Sequence, residues 1–104
     1  MIMRVWQGAV RSTDADTYAD YIRATGFDAY GRTAGNRGAW LLRRDDGGRT
    51  EFQTLSLWES EEAVRAFAGD DIDAAVLYPE DEKFLVGGSE VRHYAVVAEL
   101  PTAG

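Results

Sequence analysis

His93 is the only histidine in the sequence. Its side chain is also the only one whose ordinary pKa places proton transfer near neutrality, which makes it the candidate general base. Aromatic residues that could wall a pocket for a flat ligand are spread along the chain: Trp6, Trp58, Phe67 and Tyr78. Tyr78 adds a phenolic hydrogen bond, and Thr54 adds a hydroxyl four residues before Trp58. Arg43 and Arg44 alternate along an extended run, so one of them could turn inward and bind an anionic oxygen. Each residue also has a plainer reading. A buried Trp fills space, a lone His on a strand is often structural, and an aromatic at a helix end packs.

Other chemistries lack their residues. With no cysteine there is no disulfide, thiolate site or cysteine nucleophile. One histidine is too few for a multi-histidine zinc or iron site within one subunit, so no metal or haem cofactor is expected. The glycines at 31, 35 and 38 lack the lysine ending of a phosphate loop and precede a strand. The acid pairs Asp45-Asp46 and Asp70-Asp71 and the run Glu80-Asp81-Glu82 suit solvent and helix starts. No nucleophile elbow is present.

Elements that would position the candidates follow from periodicity. Residues 2–10 alternate as a first strand, with Met3, Val5 and Ala9 on one side and Arg4, Trp6 and Gly8 on the other. Ser12-Thr13-Asp14 supplies capping oxygens to an amphipathic helix carrying Ala15, Tyr18, Ala19 and Ile22, ending near Gly26. Residues 27–38 read as a structured loop. A hairpin follows, its arms 39–44 and 50–58 joined by Asp45-Asp46-Gly47-Gly48. In its second arm Leu55 and Leu57 face one way and Thr54, Ser56 and Trp58 the other.

Ser60 opens a second helix that Gly69 can end. A further helical turn or two is expected over 71–78, stopping at Pro79. The last strand spans 90–100 and presents His93 on one face. The order strand, helix, strand, strand, helix, strand is the split βαβ, ferredoxin-like α+β arrangement with an antiparallel four-stranded sheet. One domain is expected over 2–99, with a frayed tail over 100–104. Two helices cover one sheet face only. The open face, expected to carry Trp6, Phe52 and Trp58, calls for a homodimer.

At 104 residues, 45% apolar and 28% charged, the composition is that of a globular domain. A net charge of −7 with scattered basic residues argues against nucleic acid as a partner. No signal-like segment or run of about eighteen apolar residues is present, so no membrane partner is expected and the cytoplasm is the default location.

The run Leu57-Trp58-Glu59-Ser60-Glu61-Glu62-Ala63 resembles the antibiotic biosynthesis monooxygenase superfamily, and the Gly35-Asn36-Arg37-Gly38 loop and element order extend the likeness over residues 2–99. The resemblance implies a dimeric α+β barrel. It also implies a range of activities: cofactor-independent oxygenation of polyketide intermediates, polyketide cyclisation, quinol oxygenation and haem degradation. In the polyketide oxygenases an Asn four residues before the Trp and a Tyr six after it hold a phenolic substrate; Thr54 and Val64 stand there. In the haem-degrading branch the corresponding Asn, Trp and His positions hold Trp6, Phe67 and the Leu77-Tyr78 pair.

The expectation is a cofactor-free enzyme of secondary metabolism that removes a proton from an aromatic or polyketide-like small molecule. His93 and Trp58 are its catalytic candidates; Trp6, Thr54, Phe67 and Tyr78 are its substrate-binding candidates. A cyclase of the same fold, or a non-catalytic dimeric binding or accessory module, is the alternative.

Overall fold

The computed structural model describes residues 1–101. Strand β1 (Ile2–Arg11) leads through a 3-10 turn (Ser12–Asp14) into helix α1 (Ala15–Ile22), a π-helical turn (Arg23–Phe27) and helix α2 (Asp28–Arg32). Strands β2 (Asn36–Asp46) and β3 (Arg49–Trp58) form the hairpin, and helices α3 (Glu61–Ala68) and α4 (Asp81–Phe84) precede strand β4 (Glu90–Ala95). The sheet order is β2-β3-β1-β4, and every neighbouring pair is antiparallel. This is the expected ferredoxin-like α+β fold.

Local chemistry accounts for most of the boundaries. The Ser60 side chain accepts from Ala63 N–H and caps α3, and Gly69 ends that helix at φ 85°. The hairpin turns at Gly47-Gly48, with Gly47 at φ 65°. Gly35 is required twice over: its φ is 90°, and a Cβ there would sit 2.5 Å from Ala63 Cβ, where the loop meets α3.

Four expectations are corrected. The first helix does not end near Gly26, because a π turn absorbs the weak helix formers Thr25 and Gly26 and the helical path runs on to Arg32. Residues 71–78 form no helix, and the carbonyls of Ile72 and Ala74 turn instead onto Arg4. The last strand stops at Ala95. Within the acidic run, Asp81 is buried rather than solvated, at 5% exposure. Of the tail over 100–104, residues 102–104 lie outside the described residues.

The strand alternation is as read, but the covered face is the other one. Trp6, Phe52 and Trp58 are buried beneath the helices, together with Arg4, Val10, Thr50, Thr54 and Ser56. The hydroxyls on this face are paired inside: Thr54 with Tyr30, Ser56 with Trp58, and Thr50 with Ser12 and Asp45. By register, the open face carries Met3 and Val5 of β1, Leu55 and Leu57 of β3, Trp40 and Leu42 of β2, and Tyr94 of β4. Trp40, Leu42 and Tyr94 are exposed there.

The core beneath the helices falls into two clusters. One gathers Trp6, Val10, Ala15, Tyr18, Ile22 and Phe52; the other gathers Tyr30, Trp58 and Val64, with Phe67 packed against it. Their seam is where the candidate site opens.

Candidate functional site

A cavity of about 40 Å³ lies between the sheet and the helical layer, walled by members of both core clusters. Its floor is Arg4 and Trp6 of β1 with Thr54 of β3. Its sides are Tyr18, Tyr30 and Phe67, and its rim includes Thr25 and Gly26 of the π turn and Val76 to Tyr78 of the irregular segment. A π turn in a helix is a costly irregularity that recurs at functional sites. Here it brings Gly26 against the Tyr78 ring, where even an added Cβ would be in ordinary contact at 3.7 Å.

Arg4 is the electrostatic centre of this cavity. It is only 2% exposed, yet no carboxylate pairs with it among the described residues. Nη1 donates to the Ile72 carbonyl and to His93 Nε2 at 2.9 Å, and Nη2 donates to the Ala74 carbonyl at 3.0 Å. The guanidinium also lies 5.7 Å from the Phe67 ring centroid. Burial lowers the Arg4 pKa, opposed by the nearby Tyr30 and Asp73.

His93 stands behind Arg4, outside the cavity wall. An arginine only donates, so His93 Nε2 accepts and the ring proton sits on Nδ1, 3.6 Å from the exposed Asp73 carboxylate. Burial pushes the His93 pKa below its ordinary value and the Arg4 charge adds to the shift, while Asp73 opposes it.

The remaining buried polar side chains are paired, with one exception. The Tyr30 and Thr54 hydroxyls share a bond of 2.9 Å, and Trp58 Nε1 donates to Ser56 Oγ at 2.9 Å. Burial raises the Tyr30 pKa, with Thr54 first and then Arg4 opposing it. Tyr18 donates to Asp81 Oδ1 at 2.7 Å, while Asp81 Oδ2 accepts from the Tyr78 N–H at 2.6 Å. Burial and this bond push the Tyr18 pKa far up, so Tyr18 stays protonated. The exception is Trp6, whose indole Nε1 is buried with no partner among the described residues. The Trp6 ring lies across Gly8, where a Cβ would come within 2.8 Å of its Cη2.

Of the residues read from the sequence, Trp6, Thr54, Phe67 and Tyr78 come together on this cavity. Trp58 is fully buried one layer behind, its ring 5.6 Å from Phe67 and 6.0 Å from Tyr30. Arg43 pairs with Asp16 at 2.7 Å, and Arg44 lies near Asp46 and Glu51, so neither arginine reaches the cavity. Sequence reading passed over Arg4, Tyr30, Tyr18 and Asp81. Alternation did place Arg4 on the strand face of Trp6, but that face read as the open one, where a charged residue needs no special account.

No family model matches the chain, and no curated protein matches it in sequence. Solved structures do match in fold. A variant of MhuD with two manganese protoporphyrin IX bound per active site is 20% identical, with a TM-score of 0.71 over 98% of this chain and 100% of that one. A Bacillus cereus protein described as an antibiotic biosynthesis monooxygenase is 14% identical, with a TM-score of 0.70 over 97% of each chain. A variant of SnoaB, a cofactor-independent oxygenase from Streptomyces nogalater, is 18% identical, with a TM-score of 0.61 over 97% of each chain. At these identities the likeness establishes a shared fold.

Because one of these neighbours binds a porphyrin, haem is the group whose fit needs testing. The donors present do not suit it. The only imidazole is bonded to Arg4 through Nε2 and lies outside the wall. The Tyr78 phenol, at the rim, has its pKa raised chiefly by burial, against the ionisation that iron ligation by tyrosine requires. Among the described residues no cluster of three or more His, Cys, Asp or Glu could hold a metal ion, and no helix is long and apolar enough to cross a membrane.

Proposed function

We propose that this protein is a cofactor-independent, monooxygenase-like enzyme that binds an aromatic or polyketide-like small molecule in the Arg4 cavity and acts by removing a proton from it. The observation carrying this reading is a buried, carboxylate-free arginine beside an imidazole at the floor of an aromatic-walled cavity. A phenolic or enolic substrate that docks on Arg4 is stabilised as its anion by the guanidinium. His93 Nε2 accepts from Arg4 Nη1 at 2.9 Å behind the wall and so positions the guanidinium, while the proton of the substrate hydroxyl passes to water at the cavity mouth as the anion forms on Arg4. The resulting carbanion is electron-rich enough to reduce dioxygen directly. Trp6, Phe67 and Tyr78 orient the ring, Thr54 fixes Tyr30, and Trp58 supports them from behind.

The working unit in this proposal is a cytoplasmic homodimer of secondary metabolism, closed through the open sheet face. Its support is the apolar set Trp40, Leu42, Leu55, Leu57 and Tyr94, which water covers poorly. The test is oxygen uptake with a panel of enolisable polycyclic phenols and no added metal or flavin. Uptake that tracks substrate loss supports the reading. Substrate loss with no oxygen consumed replaces it with cyclisation, and binding without turnover replaces it with a binding module.

A further inference from the structure

Arg4 has more donors than its surroundings use. Of its five N–H groups, three are engaged, by the carbonyls of Ile72 and Ala74 and by His93 Nε2. Nε–H and one Nη2–H have no acceptor among the described residues, although the side chain lines the cavity. Two residues along the same strand face, Trp6 Nε1–H is also buried without an acceptor. Two adjacent side chains of the floor therefore carry unspent donors. The acceptors on the cavity wall are engaged elsewhere: Asp81 by Tyr18 and the Tyr78 N–H, and Thr54 by Tyr30.

The charge balance points the same way. A buried guanidinium held only by carbonyls and a neutral imidazole retains its full positive charge, and the nearest acid, Asp73, is 84% exposed and lies against His93 instead. Such a site favours an anion over a neutral ligand of the same shape. The Phe67 ring beneath the guanidinium and the Trp6 ring beside it favour an anion carried on an aromatic framework.

We infer that the cavity selects aromatic ligands bearing an anionic oxygen next to the ring, with that oxygen accepting from Arg4 and Trp6. This rests on the proposed site and narrows its substrate class to aromatic acids and ionised phenols. The irregular segment 70–78 roofs the site without helix or strand pairing, so it is the part of the wall that can yield as a ligand larger than the present space seats itself.

Salicylate and its neutral isostere salicylamide test the inference on the full-length protein, by following backbone and indole N–H resonances in ¹⁵N NMR titrations. Salicylate is expected to bind about tenfold or more tighter than salicylamide, the range of a charge-assisted hydrogen bond over a neutral one, and to move the Trp6 indole resonance, assigned through Trp6→Phe. Arg4→Gln should abolish the preference of salicylate over salicylamide. Equal binding of the two ligands, binding of neither, or salicylate shifts confined to residues outside the cavity would each overturn it. If Arg4→Gln fails to fold, the wild-type comparison decides alone. The outcomes separate the two claims: a neutral phenol bound and oxygenated as well as an anionic one sinks this inference but not the enzyme, whereas selective salicylate binding without oxygen uptake on any phenol does the reverse.

Discussion

Arg4 Nη1 and His93 Nε2 face each other at 2.9 Å across the β1–β4 pair, at directly opposed positions in the register. Because the arginine can only donate, this contact fixes the imidazole tautomer and holds the guanidinium against the cavity floor, while burial first and the Arg4 charge second disfavour the protonated ring. A proton on Nε2 would put two cations in contact.

This relationship gives stability a pH dependence. The folded pKa of His93 lies below its unfolded value of 6.5, so the unfolded chain binds the extra proton first. The contribution is complete above about pH 6.5 and is lost as pH falls from there through the folded value. The difference in thermal midpoint between wild type and His93→Gln, measured from pH 8 down to about pH 5, should shrink as the pH falls. A constant difference across that range would mean that His93 is not held neutral by the fold.

Gly8 makes room for the Trp6 ring. A methyl there would sit 2.8 to 2.9 Å from Trp6 and Leu85 side-chain atoms, so Gly8→Ala must push the indole off the strand. The expected cost is about 1–3 kcal/mol, with a shift in tryptophan emission. Denaturant unfolding matching wild type would show that the ring does not need that seat.

Asp81 is buried and held by Tyr18 and the Tyr78 N–H. Tyr18→Phe removes one partner from a buried carboxylate and should destabilise by about 1–3 kcal/mol. The loss should be smaller in an Asp81→Asn background, because the charge left unpaired is then gone. Additive losses in this double-mutant cycle would mean that the two side chains are not coupled.

Leu55 is the centre of the open face, opposite Val5 on one side and Trp40 on the other. Leu55→Asp should convert a homodimer to monomer in sedimentation velocity at micromolar concentration, with the far-ultraviolet circular dichroism unchanged. A wild-type protein already monomeric under those conditions would refute the proposed assembly.

Alternation made the strands and their two faces legible in the sequence, and the Ser60 cap and Gly47 turn located a helix and the hairpin. The choice of covered face was not legible. The face holding Arg4, Thr54 and Ser56 read as the one left open by the helices, yet Thr54 and Arg4 find partners in other elements, Tyr30 and the carbonyls of Ile72 and Ala74, and Ser56 accepts from Trp58 two residues on. Such partners come from tertiary structure, which periodicity does not encode. The same limit hid Asp81, whose two neighbouring acids are exposed and whose burial depends on Tyr18, 63 positions away. Four of the six site candidates meet at the cavity: Trp6 and Thr54 share the covered sheet face by alternation, and Phe67 and Tyr78 come from the layer over it. His93 and Trp58 lie one layer back, a distinction of depth that alternation alone does not carry.

The central claim is that the space between Arg4, Trp6, Phe67 and Tyr78 is the ligand site. A crystal structure of the protein with a bound enolisable phenol tests it most directly. The expected result is the ring between Trp6 and Phe67, with an oxygen within hydrogen-bond distance of Arg4 and the segment 70–78 displaced to admit it. A ligand found on the open sheet face, or one bound in the cavity with its oxygen turned away from Arg4 toward solvent, would contradict it.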